Sequence, residues 1–141
     1  MFRYFSAAAV VLAFVGCGSS DIGYVSGTVT MDDKPLAGAV VEFFPEPSGA
    51  PAIGLTDKDG KYTLTLGRDT KGVKVGENKV QISTADGGAG DDDGYGAAGK
   101  ETVPARYNVK TELKETVKSG NNTIDFKLES GGEIIQTPEN Y

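Results

Sequence analysis

The side-chain inventory of the 141-residue chain limits the chemistry that it can perform. The sequence contains no histidine, which is the commonest general base and the commonest zinc ligand in proteins. Its single cysteine, Cys17, cannot form a disulfide within the chain. Ser–His and Cys–His nucleophilic mechanisms and His-zinc sites are therefore excluded. We predict that the protein is not an enzyme, that it has no catalytic residue and no cofactor, and that Cys17 has another use.

Cys17 follows a segment that is typical of an export signal. Arg3 supplies a positive charge near the start, and residues 4–15 form an apolar stretch of twelve residues. Such a stretch is too short to span the core of a bilayer, which needs about 20 residues. We therefore expect residues 1–16 to be a cleaved signal peptide, and residues 17–23 to form a short polar linker that begins with Cys17.

The residues before Cys17 resemble the lipobox of bacterial lipoproteins. Phe14, Val15 and Gly16 stand where that family has a large apolar residue, usually Leu, then a tolerant position and a small residue. The resemblance implies that the Cys17 thiol receives a diacylglycerol and that the amine freed by cleavage receives an acyl chain such as palmitate. Two or three chains anchor a protein stably, since each buried CH₂ contributes about 0.8 kcal/mol. Gly18, in place of Asp, resembles lipoproteins that move on to the outer membrane.

Two other interpretations of this leader stay open. An ordinary signal peptidase that cleaves near Gly18 would discard Cys17, and an uncleaved leader would serve as a short anchor. Under the lipoprotein hypothesis the domain is extracytoplasmic and lies on the periplasmic or the surface face of the outer membrane. These interpretations differ in the fate of the Cys17 sulfur.

The charge of the chain bears on its partners. The formal net charge is −6, and it becomes −7 when Arg3 leaves with the leader. Because no basic patch is present, we predict that the protein does not bind nucleic acid. An acidic domain is not attracted to anionic headgroups either, so membrane attachment must come from something other than surface charge, and we expect it to come from the lipid on Cys17.

Period-2 alternation of apolar and polar residues predicts an all-β domain over residues 24–129 and a loose C-terminal tail over residues 130–141. Seven strands are predicted, over residues 24–31, 39–44, 52–56, 61–66, 78–84, 111–118 and 122–128. The side chains expected to point inward include Val25, Val29, Met31, Ala39, Val41, Phe43, Tyr62, Leu64, Leu66, Val80, Ile82, Leu113, Val117, Ile124, Phe126 and Leu128. Seven short strands at this spacing favour a β-sandwich.

The order of several short runs resembles the carboxypeptidase regulatory-like domain. These runs are Val25-Ser26-Gly27-Thr28-Val29, residues 34–43, residues 56–62, residues 76–80, residues 103–108 and residues 120–126. The resemblance covers nearly all of residues 24–129 and implies a single Greek-key sandwich of the transthyretin (prealbumin) type. In larger proteins such modules accompany peptidases or transporters and do no chemistry themselves.

A glycine-rich acidic loop is predicted over residues 85–101. Asp91, Asp92 and Asp93 are weak candidates for a calcium site, because carboxylates on a mobile loop can collect a hard cation. The alternative is a solvated flexible insertion, since adjacent carboxylates repel one another and glycine makes their ordering unfavourable. We favour the solvated loop and predict no structural metal.

The function that these features favour is a membrane-anchored lipoprotein whose sandwich binds or spaces other components of the cell envelope. The unidentified partner would be an envelope protein or a glycan. The alternative is a domain that binds a small ligand or a carbohydrate through the loops at one end of the sandwich. The sequence singles out no ligand-binding residue for either function.

Overall fold

A computed structural model describes residues 21–85 and 99–136. The predicted signal peptide, Cys17 and Asp91 to Asp93 lie outside these residues. The all-β prediction is confirmed, because the described residues form two β-sheets and their one helical element is a 3₁₀ turn, Ala105–Tyr107. Over the same residues, no helix reaches the length and apolarity that a membrane span requires.

The described part of the chain contains twelve strand segments, where seven strands are predicted. In chain order they are β1 (Ile22–Met31), β2 (Lys34–Pro35), β3 (Val40–Pro45), β4 (Ala52–Leu55), β5 (Lys61–Thr63), β6 (Thr65–Leu66), β7 (Thr70–Lys71), β8 (Val73–Lys74), β9 (Gly76–Ser83), β10 (Lys114–Val117), β11 (Gly120–Thr123) and β12 (Phe126–Leu128).

The first sheet is organised around β1. Along one edge β1 pairs in parallel with β11 and then with β12, in one continuous register. Along its other edge it pairs antiparallel with the short strands β8, β5 and β2 in turn. The first strand is therefore held on both sides by five later strand segments.

The second sheet has the order β10-β9-β3-β4-β6-β7 and is antiparallel throughout. Its centre is the pair β3–β9, in which Val41 lies opposite Ile82 and Phe43 opposite Val80. All four of these side chains are fully buried. The two sheets thus enclose the core between the inward faces of β1 and β12 on one side and of β3 and β9 on the other.

Two of the five extra segments arise because a predicted strand is divided, and the other three, β2, β7 and β8, are two-residue strands at positions where no strand is predicted. The strand predicted over residues 61–66 pairs with β1 as β5, passes through the buried Leu64, and joins the second sheet as β6. The strand predicted over residues 111–118 begins later, at Lys114. There Thr111 is not in a strand, and its hydroxyl donates a hydrogen bond to the Val80 carbonyl over 2.7 Å.

The inward residues that alternation predicts form the core. The buried members are Val25, Val29, Ala39, Val41, Phe43, Tyr62, Leu64, Val80, Ile82, Val117, Phe126 and Leu128, and the partly buried members are Met31, Leu66, Leu113 and Ile124. The rings of Phe43 and Phe126 meet edge to face with centroids 6.2 Å apart, which is a favoured aromatic geometry. Burial of one strand face therefore determines the register of both sheets.

A local break separates β11 from β12 at Ile124 and Asp125. The Ile124 carbonyl oxygen leaves the sheet ladder and accepts a hydrogen bond of 2.6 Å from the Tyr62 hydroxyl. The Asp125 carboxylate replaces the lost backbone acceptor by taking the Thr28 N–H over 2.8 Å. Gly27 permits this arrangement, because an added Cβ would overlap the Ile124 carbonyl oxygen. The interruption is therefore fully compensated by hydrogen bonds.

Candidate functional site

The two ends of the sandwich differ in their distance from the predicted anchor. Val75 N–H donates to the Asp21 carbonyl over 2.9 Å, so the chain enters β9 beside the start of β1. The other end of β9, at Ser83, pairs with Val40. Residues 85 and 99, which flank the undescribed residues 86–98, consequently lie at the end of the sandwich that is remote from Ile22.

Glu101 organises the described chain on both sides of residues 86–98. Its carboxylate accepts hydrogen bonds from the Ser83 hydroxyl at 2.5 Å, and from the Thr84 N–H and the Thr84 hydroxyl at 3.0 Å each. A fourth bond, of 2.9 Å, comes from the Val103 N–H. The Gln136 side chain bonds to both backbone groups of Glu101. Glu101 is 4% exposed, so this carboxylate joins three chain segments inside the protein.

The pKa of Glu101 reflects two opposing effects. Burial disfavours the charged form and by itself would raise the pKa of the carboxyl. The hydrogen bonds from Ser83, Thr84 and Val103 favour the charged form and outweigh burial, so the pKa lies below its ordinary value. The side chain is therefore ionised at neutral pH, and its role is structural.

We expect replacement of Glu101 by Gln to reduce the free energy of unfolding at pH 7 by about 1–3 kcal/mol. The amide nitrogen of Gln is a hydrogen-bond donor, and it would face the N–H and O–H donors that now bond to the carboxylate. The lowered pKa means that the carboxylate stabilises the fold above the pKa of the unfolded chain, near 4.5, and loses this contribution as the pH falls through the folded value. Thermal unfolding between pH 7 and pH 3 should show the wild type and the variant converging in acid. A difference that stayed constant with pH would contradict this role of the charge.

The other acidic motifs serve turns. The Asp57 carboxylate accepts the N–H groups of Asp59 and Lys61 at 2.8 and 2.9 Å, and Gly60 adopts a positive φ of 74°. The Asp32 carboxylate accepts hydrogen bonds from the hydroxyl and the N–H of Ser130, and these bonds lower its pKa. The Asp57 carboxylate thus stabilises its own turn, and the Asp32 carboxylate joins the turn after β1 to the segment after β12.

Arg106 and Tyr107 fasten the segment that follows β12. The Arg106 guanidinium donates to the carbonyls of Gly131 and Glu129 at 2.6 and 2.5 Å and lies 4.7 Å from the centroid of the Tyr107 ring. Ala105 N–H donates to the Glu133 carbonyl over 2.7 Å. The first part of the segment predicted as a loose tail is therefore hydrogen-bonded to the sandwich, as far as residue 136.

The described surface contains a groove beside Tyr24 on the outer face of the first sheet. It encloses about 300 Å³ and is lined by Tyr24, Val25, Ser26, Thr63, Leu64, Lys71, Asn121, Asn122 and Thr123. The change of sheets at Leu64 explains it, because β5 stops pairing with β1 there and β8 resumes the pairing only at Gly23. The discontinuity leaves a depression next to the Tyr24 ring, which is 52% exposed.

The groove contains none of the site residues that the sequence predicts. Cys17 and the calcium candidates Asp91, Asp92 and Asp93 lie outside the described residues. Within the described ranges, no group of three or more His, Cys, Asp or Glu side chains is arranged to hold a metal ion. The groove escaped sequence reasoning, although the alternation that buries Val25 also places Tyr24 on the outer face.

Comparison with known proteins provides little further information. No protein-family model and no curated protein matches the chain. The crystal structure of a DUF3823 family protein from Parabacteroides merdae is similar to it with a TM-score of 0.41 and 11% identity, over 80% of this chain and 47% of that one. The chain thus spans about half the length of that structure. A similarity at this level implies nothing about function, and the description as a sandwich depends on the strand pairing itself.

Proposed function

We propose that the protein is a non-catalytic lipoprotein of the bacterial cell envelope, anchored to the outer membrane through Cys17. Its sandwich, of the carboxypeptidase regulatory-like class, binds an envelope component and holds it near the membrane. The motif order supports this class, because the run 25–29 lies in the central strand β1 and the run 34–43 lies in β2 and β3. The absence of histidine from the sequence supports a non-catalytic role.

The observation that carries the proposal is the position of β1. This strand begins at Ile22, five residues after Cys17, and is paired on both edges. Five extended residues reach at most about 18 Å. A lipid on Cys17 would therefore hold the start of β1 close to the bilayer, and the other end of this ten-residue strand lies about 33 Å from that start.

We expect replacement of Cys17 by Ser to abolish incorporation of a palmitate analogue, because the serine hydroxyl cannot take part in the thioether chemistry of a lipobox. The precursor should accumulate with its leader attached and therefore run larger on a gel than the processed wild-type chain. Metabolic labelling of the full-length chain, followed by gel analysis of its size, measures both effects.

The matched control is Ser19→Ala, which changes a hydroxyl two residues further along and leaves the sulfur in place. This variant should label and process like the wild type. Equal labelling of the Cys17→Ser variant and the wild type would refute the lipoprotein proposal, and so would a mature wild-type chain that lacks Cys17.

A further inference from the structure

The outer face of the first sheet near Tyr24 presents several polar side chains that are not bonded to other described residues. Within the described residues, the side chains of Ser26, Thr63, Asn121 and Thr123 and the Lys71 ammonium make no hydrogen bond or ion pair. They surround the groove described above. Asn122, which also lines the groove, is the exception, because its side chain makes four hydrogen bonds around the turn before β11. The groove therefore presents donors and acceptors that a ligand could use.

The register of the sheet explains why these groups converge. Tyr24 lies opposite Asn121, and Ser26 lies opposite both Thr123 and Thr63. Side chains on paired residues are about 5 Å apart, and successive residues on one face of a strand are about 6.6 Å apart. An exposed aromatic ring is thus bordered, within one or two residue spacings, by three hydroxyls and an amide.

We propose that this groove binds an oligosaccharide, with one sugar ring lying on the face of Tyr24. A sugar has an apolar C–H face that packs on an aromatic ring and a rim of hydroxyls that exchange hydrogen bonds with side chains such as Asn121, Ser26 and Thr123. Lys71 adds a donor at the edge of the groove. This inference rests on the proposed function as an envelope binding module, and it specifies the class of ligand.

The position of the groove differs from the one that the sequence suggests for a carbohydrate site. The carbohydrate-binding alternative in the sequence analysis uses the loops at one end of the sandwich. Tyr24 instead lies on a sheet face, next to the start of β1. A ligand in this groove would be held close to the predicted lipid anchor. A glycan that lies along the membrane fits this placement.

The test is a titration of the full-length chain, purified in detergent, with cellohexaose, maltohexaose, xylohexaose and chitohexaose at millimolar concentrations. We expect at least one of the four to bind, measured by calorimetry, and to shift the amide NMR signals of Tyr24, Asn121 and Thr123. Tyr24→Ala should weaken that binding by about tenfold or more. Asn121→Ala should weaken it less.

The control is Ile53→Ala, which removes a side chain of similar exposure, 44%, from the outer face of the second sheet. This variant should bind like the wild type. The inference is overturned if none of the four oligosaccharides shifts those signals, or if Tyr24→Ala binds as the wild type does. Lipid labelling of Cys17 is measured separately, so failure of sugar binding would leave the anchoring proposal intact.

Discussion

Replacing Gly27 with Ala is expected to destabilise the sandwich by about 3 kcal/mol or more, because the new Cβ has no space. It would overlap the Ile124 carbonyl oxygen, which is a backbone atom that no side-chain rotation can move aside. Ile124 would have to withdraw, and the hydrogen bond from the buried Tyr62 hydroxyl to that oxygen would be lost. Urea denaturation followed by circular dichroism measures the change.

Gly67→Ala is the matched control for this substitution. Gly67 has a positive φ of 65° but no atom within 4 Å of the position that a Cβ would take. Its replacement should cost only the backbone strain, about 1–2 kcal/mol. If Gly27→Ala cost no more than Gly67→Ala, the close approach between β1 and the break at Ile124 would be wrong.

Truncating Phe126 to Ala should have a comparable effect, about 3–5 kcal/mol, since it removes a buried ring and leaves a cavity. Phe126 is 5% exposed and packs against Phe43 and Tyr62 with centroid separations of 6.2 and 6.3 Å. It also lies directly beside Val29 in the parallel pairing of β12 with β1. The loss would therefore affect the contact between the two sheets and remove a large share of the roughly 5–15 kcal/mol that stabilises a typical domain.

Val109→Ala provides the comparison for Phe126. Val109 is 53% exposed, and its truncation should change the free energy of unfolding by less than about 0.5 kcal/mol. Both variants are compared by the midpoint and slope of urea unfolding. A Phe126 variant as stable as the Val109 variant would mean that the core is not centred on these rings.

The fold could be predicted because a strand with one buried face has apolar and polar residues in alternation along the sequence. Val25 and Val29, and likewise Val41 and Phe43, were placed correctly for this reason. Alternation does not indicate where along the chain a strand changes partners. It therefore does not predict that the chain leaves the first sheet at Leu64 and joins the second. Two-residue strands such as β7 and β8 are too short to carry any pattern.

The contacts of Glu101 and the groove beside Tyr24 could not be predicted from the sequence, because both depend on residues that are distant along the chain. The hydrogen bonds of Glu101 join residues that are 18 and 35 positions apart, and no local pattern indicates such contacts. The exposure of Tyr24 followed from its parity in β1, but its neighbours Thr63 and Asn121 are brought beside it only by the pairing of distant strands. A site on a sheet face therefore requires knowledge of the strand order.

The central position of β1 determines how the domain would carry mechanical load. If a lipid on Cys17 tethers the chain as proposed, a force that pulls Ile22 away from the later strands acts along the axis of β1. Its hydrogen bonds to β11, β12 and β5 run across that axis, so they would be strained together rather than opened one after another. The last strand runs parallel to the first, so the chain leaves the sheet at the end opposite the tether. Tension between the membrane and anything attached beyond residue 128 would therefore shear the sheet instead of unzipping it.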